Sequence, residues 1–275
     1  MEGLDQEIGG LRLRIWQPPR APLVTVLVVH GWGMHAGPYD GLCASLAQAG
    51  AYCVAINLPG HGPDSELRDF TYSSAMSALR MALEICRKEA DVPLVVVAES
   101  AGADFVLSLG GELGDERLAL LAPGVLPRFG QIISPRAIGD GLGLLFRGRL
   151  RLDTWRLESV SSDPAFLAAR RADPWTRLVA DRRYVGAVLR AGFRGVLVGA
   201  RQVRGSVRIW HGARDRLLSP LGSRFLLKLI GSRDKSLRVV PGAEHGLIWD
   251  RVHGPAVIAE VTQWVLSGAN AGTIK

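Results

Sequence analysis

The chain has 275 residues, 48% of them hydrophobic, and carries a formal net charge of +7 at pH 7. That is enough apolar matter for a sizeable core, yet no stretch approaches the roughly 18 to 20 uninterrupted apolar residues of a membrane span. The excess charge is mostly arginine, much of it between Arg128 and Arg204, without basic runs interleaved with aromatics or a nucleic-acid-binding motif, so no nucleic-acid partner is expected. Two readings of that arginine stay open: plain surface charge, or attraction for an anionic substrate or lipid surface. The segment Met1-Glu2-Gly3-Leu4-Asp5 is acidic and lacks an apolar stretch, so it does not read as a secretory signal. Cys43, Cys53 and Cys86 are an odd set without metal-ligand spacing, as buried free thiols in a reducing compartment would be. The expectation is a soluble, cytoplasmic protein with no transmembrane segment.

In chain order, Gly9 to Trp16 alternates apolar and polar residues and predicts a half-exposed strand, ended by Pro18, Pro19 and Pro22. Leu23 to Val29 is an aliphatic run of the buried parallel type, closing in His30-Gly31-Trp32-Gly33. A helix is expected from Tyr39 to Ala49, a strand from Tyr52 to Leu58, a loop at Pro59-Gly60-His61-Gly62-Pro63, and a helix from Tyr72 to Lys88. Leu94 to Val97 then forms a strand that breaks into Ala98-Glu99-Ser100-Ala101-Gly102, with a helix-compatible segment following at once. Leu118 to Leu121 is a short strand. Gly124 to about Arg183, rich in glycine, proline and arginine at its start, reads as an insertion over the sheet, with short helices near Asp163–Arg171 and Pro174–Val179. Tyr184 to Val203 predicts a helix, although its glycines weigh against one. Val207–Trp210 and Leu237–Val240 are strands, and Pro220–Ile230 and Pro255–Leu266 are helices, the last with Val257, Ile258, Val261 and Val265 on one face. Strands alternating with helices imply a mostly parallel sheet covered on both faces, with its site at the carboxyl ends of the strands.

The chemistry starts from Ser100. A serine on a tight strand-to-helix turn faces the N–H groups of the helix that follows, although by itself Ser100 could equally be an N-cap. A serine nucleophile needs a base and an orienting acid. Of six histidines, His30 reads as a brace for the loop after its strand and His61 as a structural residue between glycines. His35 and His253 lie in polar, exposed segments, with His35 within reach of a pocket rim, and His211 reads as a strand-end support. His245 follows the last strand in a flexible loop, and Asp215 takes the equivalent place after the preceding strand. The order Ser100, Asp215, His245 fits a hydrolase triad. Its alternatives are Asp215 paired with Arg214 or Arg216 and His245 left in solvent.

These motifs carry a resemblance. His30-Gly31-Trp32-Gly33, Asn57-Leu58-Pro59-Gly60-His61-Gly62, Ala98-Glu99-Ser100-Ala101-Gly102, His211-Gly212-Ala213-Arg214-Asp215 and Pro241-Gly242-Ala243-Glu244-His245 together resemble α/β-hydrolases of the monoacylglycerol lipase and lysophospholipase group. Ser232-Arg233-Asp234-Lys235-Ser236-Leu237 matches as well, and Ser162-Asp163-Pro164 and Ala172-Asp173-Pro174 resemble cap segments of those lipases. The resemblance implies the α/β-hydrolase fold, with residues 1–123 and 184–275 as the core and 124–183 as a helical cap. It implies Ser100 as nucleophile, His245 as general base and acid, Asp215 as its partner, and an oxyanion hole from the backbone N–H groups of Trp32 and Ala101. No metal or cofactor is called for. Three departures from the family pattern involve four positions. Ala98-Glu99 replaces Gly-His before the serine, which is closer to carboxylesterases. Trp32 replaces a small residue and is expected to narrow the acyl pocket or to shape it for a flat or short acyl group, and Asn57 replaces Asp in a supporting role. The expected activity is hydrolysis of a small-molecule carboxylic ester, lipid-like or anionic, through an acyl-enzyme. The alternatives are a thioesterase or acyltransferase with the same triad, or a non-catalytic ligand-binding protein.

Overall fold

The computed structural model describes residues 1–63, 65–89, 91–128, 135–151 and 154–268. The chain opens with a hairpin, Leu4–Ile8 (β1) and Leu11–Trp16 (β2), turned by Gly9 and Gly10 at φ 61° and 80°. A two-residue turn of that kind needs positive φ at both positions, which glycine adopts without strain. The strand expected from Gly9 is therefore two residues shorter. Its unforeseen partner β1 is an exposed edge strand with too few apolar residues to announce itself.

Val24–Val29 (β3), Asp40–Gln48 (α1), Ala51–Ile56 (β4), Tyr72–Glu89 (α2), Leu94–Glu99 (β5), Ala101–Leu109 (α3) and Arg117–Leu121 (β6) follow. β3, β4 and β5 are buried at every position, as aliphatic strands inside a parallel sheet must be. Between β6 and the next sheet strand come Pro135–Arg147 (α4), Arg149–Arg151 (β7), Thr154–Val160 (α5), Pro164–Ala172 (α6), Val179–Asp181 (β8) and Arg182–Leu197 (α7). Val207–Gly212 (β9), Pro220–Leu229 (α8), Lys235–Val240 (β10) and Gly254–Ser267 (α9) close the chain. Among the described residues the main sheet has eight strands in the order β1-β2-β4-β3-β5-β6-β9-β10, parallel from β4 onward, and β7 and β8 form a separate antiparallel ribbon. This is the α/β-hydrolase fold.

The period-2 alternation of the strands splits the core into two. Leu27, Val29, Val54, Ile56, Val96 and Ala98 face α2, α3 and α7, where Leu79, Phe105 and Ala191 meet them. Val26, Val28, Cys53, Ala55, Val95 and Val97 face α1 and α9, against Leu42, Leu46, Val257 and Val261. All three cysteines are buried free thiols. Among the described residues no helix is long and apolar enough to cross a membrane.

The segment after β6 differs most from the expectation, and its residues 129–134 and 152–153 lie outside the described ones. α6 forms where expected, because Asp163 caps it by accepting the Ala165 N–H at 2.9 Å, with Pro164 in the first turn. The helix expected at Pro174–Val179 does not form. Asp173 instead turns the chain by accepting the Trp175 N–H and the Thr176 hydroxyl, and the Arg177 N–H is drawn to the Gly33 carbonyl at 2.8 Å. The glycines of α7 serve contact rather than breakage: a Cβ at Gly195 would run into the Asp104 carbonyl of α3. The helix ends at Leu197 and gives way to a 3₁₀ turn, Gly199–Gln202, short of the predicted Val203.

The tightest of these approaches is at Gly102, where a Cβ would collide with the carbonyl oxygens of Val29 and His30. Val29 cannot retreat, because it ends β3, which is hydrogen-bonded between β4 and β5, and His30 follows it directly. Gly102→Ala is expected to lower unfolding free energy by about 1–3 kcal/mol or more, measured by urea denaturation against wild type. Unchanged stability would mean that α3 can lift off the sheet.

Candidate active site

β5 carries the chain into Ser100, whose backbone sits at φ 50° and ψ −123°. A non-glycine residue in that region is strained and persists only when its surroundings hold it. The Ser100 N–H donates to the Leu121 carbonyl of β6 at 2.8 Å. The result lifts the hydroxyl off the carboxyl edge of the sheet, above the N-terminus of α3.

Two loops meet that hydroxyl. The His245 Nε2 lies 3.1 Å from Ser100 Oγ, and its Nδ1 lies 2.7 Å from Asp215 Oδ2. With Nδ1–H donating to the carboxylate, Nε2 is free to accept the serine proton. Asp215 is fixed in turn: Oδ1 accepts the N–H groups of Leu217 and Leu218, both at 2.8 Å, and His211 Nε2 stands 3.1 Å from Oδ2. Gly212, at the end of β9, lets the Ala243–Glu244 backbone press against it, so the loops bearing Asp215 and His245 come together.

The third loop is His30–Met34. His30 braces it by donating from Nδ1 to the Gly31 carbonyl at 2.9 Å and accepting the Leu58 N–H at Nε2. The Gly31 N–H donates to the Tyr39 hydroxyl, which donates to Glu99 Oε2. The Gly33 N–H donates to the Tyr184 hydroxyl, which donates to His61 Nε2. Both N–H groups flanking Trp32 are thus engaged. The N–H groups of Trp32 and Ala101 make no hydrogen bond among the described residues. Asn57 does support the loop, accepting the Ala36 N–H at 2.8 Å.

Comparisons with known proteins bear on the family and the fold. The family model described as Serine aminopeptidase, S33 matches residues 20–251. The chain belongs to that family of α/β-hydrolases. It is 28% identical to a monoacylglycerol lipase of Mycolicibacterium smegmatis, covering 94% of this chain and 95% of that one. Its fold is similar to that of a soluble variant of monoglyceride lipase from Saccharomyces cerevisiae in complex with a substrate analog, with a TM-score of 0.82, 20% identity and coverage of 95% and 94%. It is also similar to a monoacylglycerol lipase of Paleococcus ferrophilus, with a TM-score of 0.78, 22% identity and coverage of 94% and 98%. The chain is a serine hydrolase of the lipase and esterase type.

In this hydrolase Ser100 opens onto a cavity of about 970 Å³ whose wall is mainly aliphatic and aromatic. Trp32 forms part of the wall, its ring tilted against that of Tyr184 with 5.4 Å between centroids. Among the described residues no group of three or more His, Cys, Asp or Glu is placed to hold a metal ion. His35 is buried rather than exposed: it pairs with Asp173 at 2.7 Å and ties the third loop to the segment after α6. Arg177 adds a second tie, donating to the carbonyls of Gly60 and Ser65.

Several contributors had no separate signal in the sequence. Tyr39, Tyr184 and Arg177 reach the site from distant segments. His211 could have been found from its spacing, four residues before Asp215, which brings it to the same turn. Glu99 was visible as a departure, and its position explains more. It is buried, and its Oε1 lies 3.4 Å from His245 Nε2, on the side of the ring that faces the serine. Burial pulls the His245 imidazole down, but the Asp215 charge and hydrogen bond, followed by the Glu99 charge, outweigh it and bring the imidazole up to about 9. Burial pushes the Glu99 carboxyl up, against the attraction of His245. Asp215 is held well below the usual carboxylate range: burial opposes this, but His245, His211 and the Leu218 N–H prevail.

A base works only in its neutral form, and carboxylates beside it favour the cation. Turnover should therefore rise with pH toward about 9. Glu99→Gln removes one of the two charges and should move the rising limb of the kcat/KM profile to lower pH. A limb that stays in place would leave Asp215 alone in control of it.

Proposed function

We propose that the protein hydrolyses carboxylic esters with one long apolar arm, of the monoacylglycerol type, through an acyl-enzyme. The observation that carries this reading is the Asp215–His245–Ser100 line at the mouth of an apolar cavity. Ser100 Oγ attacks the ester carbonyl as His245 Nε2 takes its proton, and Asp215 steadies the imidazolium. The oxyanion of the tetrahedral intermediate is held by the N–H groups of Trp32 and Ala101, each donor worth on the order of 3 kcal/mol. The imidazolium then protonates the departing alcohol. Water, deprotonated by His245, attacks the acyl-enzyme and releases the acid, which restores Ser100.

Residues 124–183 act as the cap of this site, over a core of 1–123 and 184–275. Leu157, Val160 and Arg177 from that segment stand on the cavity wall, which supports the reading. The wall continues to the surface through Leu189 and Phe193 of α7, each 69% exposed, so an aliphatic chain could enter along an apolar rim. Arg177, the arginine on the described wall, spends its guanidinium on Gly60 and Ser65. That favours an uncharged alcohol such as glycerol over an anionic head group.

Fluorophosphonate labelling followed by peptide mapping should find Ser100 modified, and monoacylglycerols and p-nitrophenyl esters should both turn over. Ser100→Ala and His245→Gln should each lower kcat by about 10,000-fold or more, with little further loss when combined. Asp215→Asn should cost about 1,000- to 10,000-fold. Faster cleavage of acyl-coenzyme A than of any oxygen ester would replace this reading with a thioesterase. Labelling without turnover would make the protein a receptor.

A further inference from the structure

Asp104 lies on α3 one helical turn beyond Ser100, and the reaction described above has no use for it. It stands on the wall of the same cavity and is only 2% exposed. Its Oδ1 has no hydrogen-bond partner among the described residues, while the Gly124 N–H serves the carboxyl from the other side. Gly124 packs directly on the group, since a Cβ there would collide with Oδ2, while a Cβ at Gly192 of α7 would lie in ordinary van der Waals contact with it at 3.7 Å. The rest of the neighbourhood on this wall is apolar, including Val188, Leu189 and Val196 of α7. No charged side chain contributes to its titration, so it is not half of an ion pair. Burial pushes the carboxyl up to about 8, so near neutrality it keeps its proton and presents an O–H donor.

A buried, unengaged donor in an apolar cavity discriminates strongly, because a ligand lacking the matching oxygen leaves it unpaired. We propose that Asp104 is a specificity-determining subsite that hydrogen-bonds an oxygen function, a keto or hydroxyl group, on the substrate arm lying along α3. One helical turn is a rise of about 6 Å over four residues, which on an extended acyl chain falls near the fifth carbon. The preferred substrate is then an oxygenated ester rather than a plain aliphatic one. This rests on the ester-hydrolase reading given above.

The test compares p-nitrophenyl heptanoate with its 4-, 5- and 6-oxo derivatives on wild type, Asp104→Asn and Asp104→Leu, with circular dichroism to establish that each variant is folded. Wild type should favour at least one oxo ester by about tenfold in kcat/KM, mostly through KM. Asp104→Leu should abolish that ratio, and Asp104→Asn, which keeps a donor, should retain most of it. A wild type that hydrolyses all four esters equally well overturns the proposal without any variant, as does a preference that survives in Asp104→Leu. A wild type that neither hydrolyses plain heptanoate nor takes up the fluorophosphonate contradicts the ester-hydrolase reading instead.

Discussion

Ser100 is held in a backbone conformation that costs a non-glycine residue about 1–3 kcal/mol, and much of the molecule serves to keep it there. The turn is pinned from below by the Leu121 carbonyl and from the side by the backbone of β3, which touches α3 so closely that only glycine fits at position 102. β5 can bear this because it lies between β3 and β6 with every position buried. The strain therefore acts on a strand that is buried throughout and paired on both sides. The consequence is a hydroxyl raised above the sheet edge, where loops from β3, β9 and β10 converge on it.

Electrostatics sorts the buried histidines. His30 and His61 are held neutral, the first well below its usual range and the second at about 4, chiefly because burial penalises the charged form and no carboxylate compensates. Each uses one nitrogen to donate and the other to accept, which fixes a tautomer and locks a loop. His245 is just as buried, but two carboxylates face its two nitrogens and drive it the other way. Identical side chains at similar depth thus differ by several pKa units because their partners differ.

The loop at Trp32 shows how polar groups can be kept available for a ligand. Tyrosine hydroxyls engage the N–H groups on either side and pass their own protons to Glu99 and His61. The loop is stiffened without occupying the donor between them. Arg177 and Asp173 fasten the segment above the cavity to this same loop, so the orientation of the donor and the shape of the cavity wall depend on one another.

The elements around the sheet were readable because their physics is local. Short runs of β-branched and other aliphatic residues bounded by turn residues read as buried strands, and Asp163-Pro164 writes its own helix start. Ser100, Asp215 and His245 were legible for a related reason: each follows a strand end, and parallel strands bring their carboxyl ends to one edge. Where local cues were sparse or contradictory, distant contacts decided. The exposed strand β1 is held by pairing with β2 rather than by burial, and the glycines of α7, which alone argue against a helix, make sense only against α3. Asp173 and Gly33 redirected the backbone where a helix was expected. Sequence spacing determined which residues could meet at the edge of the sheet. The distances at which they met, the pairing of Glu99 with the His245 imidazole and the unengaged carboxyl of Asp104 were decided by tertiary packing, because desolvation and hydrogen-bond geometry depend on neighbours that are remote along the chain.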